Sequence, residues 1–228
     1  MNNFLFTSIA LLLFAQACKT DHHELYIVNT TEEYRAQVAE NPDMQLVDLE
    51  KHIEGILLDI RYATEDNFTG EVIYTEPKAF LRRPVADALK RVQDSLAHYG
   101  LGLLVYDAYR PYAATVKFFE VYPDPDFVAD PRYGSRHNRG CAVDVTLIDL
   151  ATGLEIPMPT DYDEFTERAH PEYMNFPEEV IANRSFLFEI MAHHGFTHYP
   201  TEWWHFDYNG WEAFPLMDLS FEELINSF

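Results

Sequence analysis

The chain has 228 residues and a formal net charge of −22, with ordinary apolar and charged fractions of 47% and 24%. Such an excess of negative charge argues against binding nucleic acid, whose phosphates it would repel, and reads as a solvated acidic surface. Once an export signal is set aside, roughly 210 residues remain, enough for one domain with a real core. Seventeen Phe, 14 Tyr and 3 Trp favour a fold that contains a sheet. The two cysteines, Cys18 and Cys141, are both expected to be unpaired, Cys141 packing as a small buried hydrophobe.

Residues 4–14 form an apolar run too short to span a bilayer, and Ala15-Gln16-Ala17 supply small residues before Cys18. This predicts a signal over 1–17, export to the periplasm or cell envelope, and a lipid anchor on Cys18. Simple secretion is the alternative, since the run is preceded by no Lys or Arg. Residues 18–43 are polar and read as a tether, with a short helix opened by Thr30 and Glu33 and a turn at Asn41-Pro42-Asp43. His22 and His23 in this stretch read as a solvated pair.

The domain proper is expected over 44–228. Gly55 to Tyr62 is a candidate buried strand, followed by a loop at Asn67–Gly70. Pro84 to Tyr99 is the clearest helix: apolar residues recur at helical spacing and Gly100 closes it. Leu101 to Tyr106 reads as a strand, Asp107 to Pro111 as the loop after it, and Tyr112 to Val121 as a returning helix. In Cys141 to Leu147 the alternation puts Cys141, Val143, Val145 and Leu147 towards the core and Asp144 and Thr146 on the opposite face. Glu178 to His194 is a second amphipathic helix. Phe196 to Tyr199 and Trp203 to Tyr208 look like strands, with Asn209-Gly210 as a hairpin turn. Helices and strands mix without regular βαβ alternation, which predicts a single α+β domain with a central, largely antiparallel sheet flanked by helices.

Two runs carry chemistry. Ser135 to Asp144 holds His137 and Asp144, and Glu202-Trp203-Trp204-His205 adds a second His and another carboxylate. Two imidazoles and a carboxylate can hold zinc and leave a fourth position for water, which a remaining carboxylate can deprotonate. Asp144 is hard to explain otherwise, because a carboxylate within a strand of Val and Leu needs a cation as partner. A set of two His and one Asp suits zinc better than calcium. Three residues apart in an ideal strand, Glu202 and His205 would face opposite ways, so a bend or bulge is expected there. Arg110, in the Asp-Ala-Tyr-Arg-Pro loop, is either one arm of a salt bridge or a guanidinium that stabilises charge on a reacting oxygen. Trp203, Trp204 and Phe206 could form a carbohydrate platform, but core packing suits their spacing better.

The chain resembles the zinc D-alanyl-D-alanine dipeptidases of the VanX type, in the family that also contains D,D-carboxypeptidases. The shared pattern is Ser-x-His-x-x-Gly-x-Ala-x-Asp followed by Glu-x-x-His, here Ser135–Asp144 and Glu202–His205. Further matching blocks are Tyr62-Ala63-Thr64 with Asp66–Gly70, Asp107-x-Tyr109-Arg110-Pro111, Pro157-Met158 with Tyr162-Asp163, and the double Trp. Together they span roughly residues 44–215. The resemblance implies a hedgehog/D,D-peptidase-like fold, one zinc held by His137, Asp144 and His205, Glu202 as general base rather than ligand, and Arg110 on the scissile carbonyl oxygen. It also implies that Asp163 pairs with the substrate ammonium, with Tyr62 at the same end of the cleft and Ser135 near the substrate carboxylate. The activity implied is hydrolysis of D-Ala-D-Ala or related free D,D-dipeptides. The rivals are a carboxypeptidase that trims peptidoglycan stem peptides and a catalytically silent zinc module. Asp163 and the 67–70 loop weigh against the first, Glu202 and Arg110 against the second. An exported enzyme fits scavenging of cell-wall dipeptides better than depletion of a cytoplasmic pool.

Overall fold

A computed structural model of the chain describes residues 25–227. The expected export signal and Cys18 lie outside the described residues. In chain order the elements are β1 (Ile27–Val28), α1 (Thr31–Glu40), β2 (Leu46–Asp48), α2 (Leu49–His52), β3 (Leu57–Leu58), β4 (Phe80–Arg82), α3 (Arg83–Ala97), β5 (Leu101–Asp107) and α4 (Tyr112–Val121). They continue with β6 (Ala142–Asp149), α5 (Glu178–His193), β7 (Phe196–His198), β8 (His205–Tyr208), β9 (Leu216–Met217) and α6 (Phe221–Ile225). The molecule is a mixed α+β domain, as the pattern of elements predicted.

Its centre is a five-stranded sheet in the order β3-β5-β6-β8-β7. Every pairing is antiparallel except β3 with β5. β6 is the middle strand, and Ala142 to Ile148 are all buried, so both of its faces meet packed side chains. Helices α3 and α5 pack on each other and on the sheet. The periodicity of α3 is the cause: Val85, Ala86, Ala88, Leu89, Val92 and Leu96 form one fully buried stripe. Gln93 sits in that stripe but offers its side-chain oxygen to the Leu103 amide at 2.8 Å, which offsets the cost of burying it.

The register of β5 on β6 shifts between Val105 and Asp107. This irregularity turns the end of β5 so that Asp107 lies opposite Asp144. Two acidic residues on neighbouring strands are thereby brought to one end of the sheet, where the loops that follow β5 and precede β6 meet.

Three expectations need correction. The stretch 18–43 is not a tether from Ile27 onwards. β1 pairs in parallel with β9, Tyr34 of α1 is buried, and its hydroxyl accepts the Leu46 amide at 2.7 Å. The polar composition of α1 concealed this, because Tyr34 is its only fully buried side chain. The Gly55–Tyr62 strand reduces to Leu57–Leu58, since the chain turns into a 3-10 helix at Arg61–Ala63. Asn209-Gly210 closes no hairpin. β8 pairs with β7 before it in sequence, and Gly210, at φ 95°, instead leads into the 3-10 turn Trp211–Ala213.

Arg82 is fully buried at the junction of β4 and the C-terminal segment. No carboxylate meets it among the described residues. Its guanidinium donates to the carbonyls of Arg139 at 2.8 Å, Met44, and Pro215 at 3.3 Å, and touches the Met217 sulfur.

Candidate active site

Ser135, His137, Asp144, Glu202 and His205 meet in one buried cleft of about 50 Å³. Arg110, Tyr62 and Asp163 complete its wall. All eight residues singled out from the sequence therefore converge, although they come from five separate stretches of chain.

Local folding explains how. His137 opens a 3-10 turn, His137–Arg139, capped by Gly140 in the left-handed region. The Ser135 hydroxyl accepts the His137 amide at 3.2 Å, and the Asn138 side chain reaches the Arg110 carbonyl at 2.9 Å. These bonds lock the turn against the loop after β5. Asp144 points into the cleft from β6, paired with His205 across β8. The break expected between Glu202 and His205 takes the form of a bend and turn rather than a bulge, because β8 begins only at His205. Glu202 sits just before it, and the turn at Trp203-Trp204 brings both side chains to the same cavity. Both Trp residues are buried as packing, as expected.

One atom each from His137, Asp144 and His205 lie within 4.8 Å of one another. Asp144 Oδ1 is 3.0 Å from His205 Nδ1 and 3.4 Å from His137 Nε2, yet it is buried and makes no well-aligned hydrogen bond. The far sides of the rings are taken. His137 Nδ1 lies 2.6 Å from the Ala108 carbonyl, which can only accept, so the proton is on Nδ1 and Nε2 offers a lone pair to the cluster. His205 Nε2 lies 3.0 Å from Asp207 Oδ1, which orients that ring in the same way. Anchoring of the outer nitrogen by a carbonyl or carboxylate is the usual support for a metal-binding imidazole. Burial alone would lift the Asp144 carboxyl, but the two imidazoles outweigh it and hold it well below the usual range. Three convergent acceptor atoms with an orphaned carboxylate oxygen fit a divalent cation.

The acid and base groups around this cluster are perturbed. Burial pushes the Glu202 carboxyl up to about 8, against the pull of His205 3.7 Å away. Burial likewise lifts Asp163 to about 8, although the Tyr62 hydroxyl donates to it at 2.9 Å. A positive charge brought beside either group would return it to the ionised form. Asp163 is also the only non-glycine residue of the described chain with positive φ, at 60°. Held strain of this kind is found where a side chain must be aimed.

Arg110 takes the salt-bridge arrangement and still lines the cleft. It forms a salt bridge with Asp107, through Nε at 3.0 Å and Nη2 at 2.8 Å, and its guanidinium lies 4.7 Å from the centre of the Phe118 ring. That bridge uses one edge of the fork and leaves Nη1 uncommitted, so the salt bridge fixes the cation in place at the cleft.

Asp107, Tyr162 and Asp207 contact the cleft residues Arg110, Asp144 and His205, and sequence reasoning named them without a role or passed over them. Asp207 was within reach, because two residues along a strand from His205 places it on the same face. Asp107 accepts from Tyr74 as well as Arg110. Tyr162 donates to Asp144 Oδ2 at 2.9 Å, a contact that no local pattern announces.

Comparison with known proteins gives the class. The profile of the Peptidase_M15 family, described as D-ala-D-ala dipeptidase, matches residues 42–223. The chain belongs to this family and is a metallo-dipeptidase. A D-alanyl-D-alanine dipeptidase of Escherichia coli (strain K12) is 36% identical over 173 residues, which cover 76% of this chain and 89% of that one. Another, from Enterococcus faecium, is 33% identical, with 69% and 88% covered. The solved structure of VanYB in complex with D-Alanine-D-Alanine aligns at 18% identity and a TM-score of 0.39, covering 59% of this chain and 75% of that one. A likeness that remote adds nothing to the family assignment.

Proposed function

We propose that the protein hydrolyses D-Ala-D-Ala or closely related free D,D-dipeptides, with one zinc ion held by His137, Asp144 and His205. The observation that carries this is the orphaned Asp144 Oδ1 between two imidazoles whose outer nitrogens are already engaged. The dipeptide substrate is supported by the curated relatives, which bear the name D-alanyl-D-alanine dipeptidase at 32–36% identity. When bound, zinc supplies Lewis-acid chemistry, acidifying a water molecule and polarising a carbonyl.

The protein's own groups do the rest. Glu202, beside His205, takes the proton of the attacking water and later passes it to the leaving amine. Arg110, clamped by Asp107, faces the negative charge that grows on the scissile carbonyl oxygen. At the far end, Asp163 and Tyr62 receive the substrate ammonium, and Ser135 lies by its carboxylate. Recognising both ends is what separates a free dipeptide from a longer chain.

The test is a panel of D-Ala-D-Ala and its N-acetyl derivative, run on the zinc-loaded protein and on variants. The acetylated compound should be cleaved at least about a hundredfold more slowly, which is roughly 2.7 kcal/mol, because its amide leaves Asp163 buried without a counter-charge. Asp163→Asn should slow the free dipeptide and leave the blocked one little changed. Glu202→Gln should keep zinc and lose activity by about 100- to 10,000-fold. Equal rates on the free and acetylated substrates would overturn the role of Asp163 and favour trimming of stem peptides.

A further inference from the structure

We infer that Tyr162 positions the metal ligand Asp144 and, through Tyr62, couples it to the substrate-amine site at Asp163. This rests on the metal and substrate roles proposed above. Four side chains form a continuous line. The Tyr162 hydroxyl donates to Asp144 Oδ2 at 2.9 Å, Tyr162 and Tyr62 hydroxyl oxygens are 3.2 Å apart, and Tyr62 donates to Asp163 Oδ2 at 2.9 Å. Asp144, Tyr162 and Tyr62 are buried, and Asp163 at the end of the line is half-buried. Tyr162 cannot drift from this line, because Tyr106 stacks on it at 4.5 Å and Trp204 packs edge-on at 5.5 Å.

At the Asp144 end, the bond occupies Oδ2 and leaves Oδ1 alone to face the two imidazoles. The carboxylate is thereby presented through one oxygen. A three-residue site in which each residue gives a single atom keeps room for water and substrate. Without Tyr162, nothing else described holds Oδ2, and that oxygen would be free to swing onto the ion as a second ligand.

The coupling follows from counting protons. The line has three contacts but only two phenolic protons. Above about pH 8, where burial no longer keeps the empty Asp163 protonated, Tyr62 gives its proton to Asp163, Tyr162 gives its proton to Asp144, and the contact between the two hydroxyls carries none. An ammonium at Asp163 competes for that carboxylate and frees Tyr62 to donate to Tyr162 instead. A hydroxyl that accepts a hydrogen bond becomes a better donor, so the bond to Asp144 strengthens. In that range, filling the amine site therefore tightens the metal site. By reciprocity, the metal raises affinity for the amine by the same factor.

The experiment measures zinc affinity by chelator competition on the full chain, in wild type, Tyr162→Phe, Asp163→Asn and the double variant. Removing a supporting partner of a metal ligand costs about 10- to 100-fold in affinity, and Tyr162→Phe should weaken zinc at the lower end of that range. The cobalt-substituted Tyr162→Phe protein should show a weaker visible absorption, as Oδ2 joins the coordination sphere. A merely structural tyrosine would leave that spectrum alone. Asp163→Asn should alter zinc affinity in wild type and do so less in the Tyr162→Phe background. If Tyr162→Phe fails to fold, Tyr62→Phe cuts the same line in its middle. It should keep the wild-type cobalt spectrum while abolishing the influence of Asp163 on zinc. Wild-type zinc affinity and an unchanged cobalt spectrum in Tyr162→Phe would overturn the positioning role. An equal effect of Asp163→Asn in both backgrounds would overturn the coupling. Failure of the wild-type protein to bind zinc at all would instead overturn the metal site itself.

Discussion

Cys141 sits four residues from His137, yet the fold makes it inert. Its thiol is fully buried, and burial pushes it up to about 12 against the opposing charges of Arg82 and Arg139. Because the folded value lies above the ordinary 9.0, the thiol contributes stability that is complete below pH 9 and is lost as pH rises towards about 12. Iodoacetamide at pH 8 should leave Cys141 of the native protein unmodified and alkylate it readily in denaturant, as read from the mass of its peptide. Rapid labelling of the native protein would mean that the strand is open. Among single residues, Asp144 was legible in the sequence because an acidic residue inside an apolar strand demands an explanation. Tyr162 was not, since the meaning of its hydroxyl depends on Asp144, 18 residues away, and on Tyr62, 100 residues away. Arg110 was half legible: its loop drew attention, but the sequence did not show that a salt bridge to Asp107 and a place on the cleft wall go together.

Gly140 shows how an element fixes the site. It ends the turn that presents His137 and begins the approach to β6, at φ 67°. A Cβ there would fall 2.5 Å from Leu46 Cδ2 and 3.3 Å from the Arg82 backbone nitrogen. Gly140→Ala would combine left-handed strain of about 1–2 kcal/mol with a clash against the Leu46 side chain of β2 and crowding of the β4 backbone. A stability loss of about 2 kcal/mol or more is expected in denaturant melts, with weaker zinc binding, and a near-wild-type melt would contradict the placement. The same scale separates what periodicity reveals from what it hides. α3, α4 and α5 were legible to within about two residues, because helix ends fray no further than that and their buried stripes are local. Of the short strands, β7 and β8 were also read to within about two residues, but β3 shrank and β9 was passed over. β3 and β9 owe their conformation to partners distant in sequence, and Asn209-Gly210, a pair that favours hairpins, serves a different turn here.

At the scale of the whole molecule, the first and last described segments pack together. The family match starts at residue 42, yet β1 and α1 precede it and belong to the fold. β1 pairs with β9, the Val28 carbonyl accepts the Asp218 amide at 2.8 Å, and Arg35 donates to the Ser227 carbonyl at 3.0 Å. Composition pointed to a fold that contains a sheet, but it could not show that a polar N-terminal stretch packs. Only the C-terminal segment, folded back against it, makes that surface apolar enough to cover.

The buried Arg82 gives that arrangement a further meaning. An ion in water is surrounded by dipoles that turn to meet it, and here the carbonyls of residues 44, 139 and 215 are those dipoles, frozen in position. The segments that lead into β2 and β9 and the turn after His137 act as a solvation shell for one cation, shaped to the fork of a guanidinium. Conserving charge at this position is therefore the wrong kind of conservatism. Arg82→Lys should destabilise the protein more than Arg82→Met, since an ammonium keeps the cost of burial but cannot meet three separated carbonyls, whereas methionine discards the ion with its shell. Thermal melts of the two variants give the order directly, and a lysine variant more stable than the methionine one would show that the charge itself, rather than its fitted surroundings, is what the fold requires.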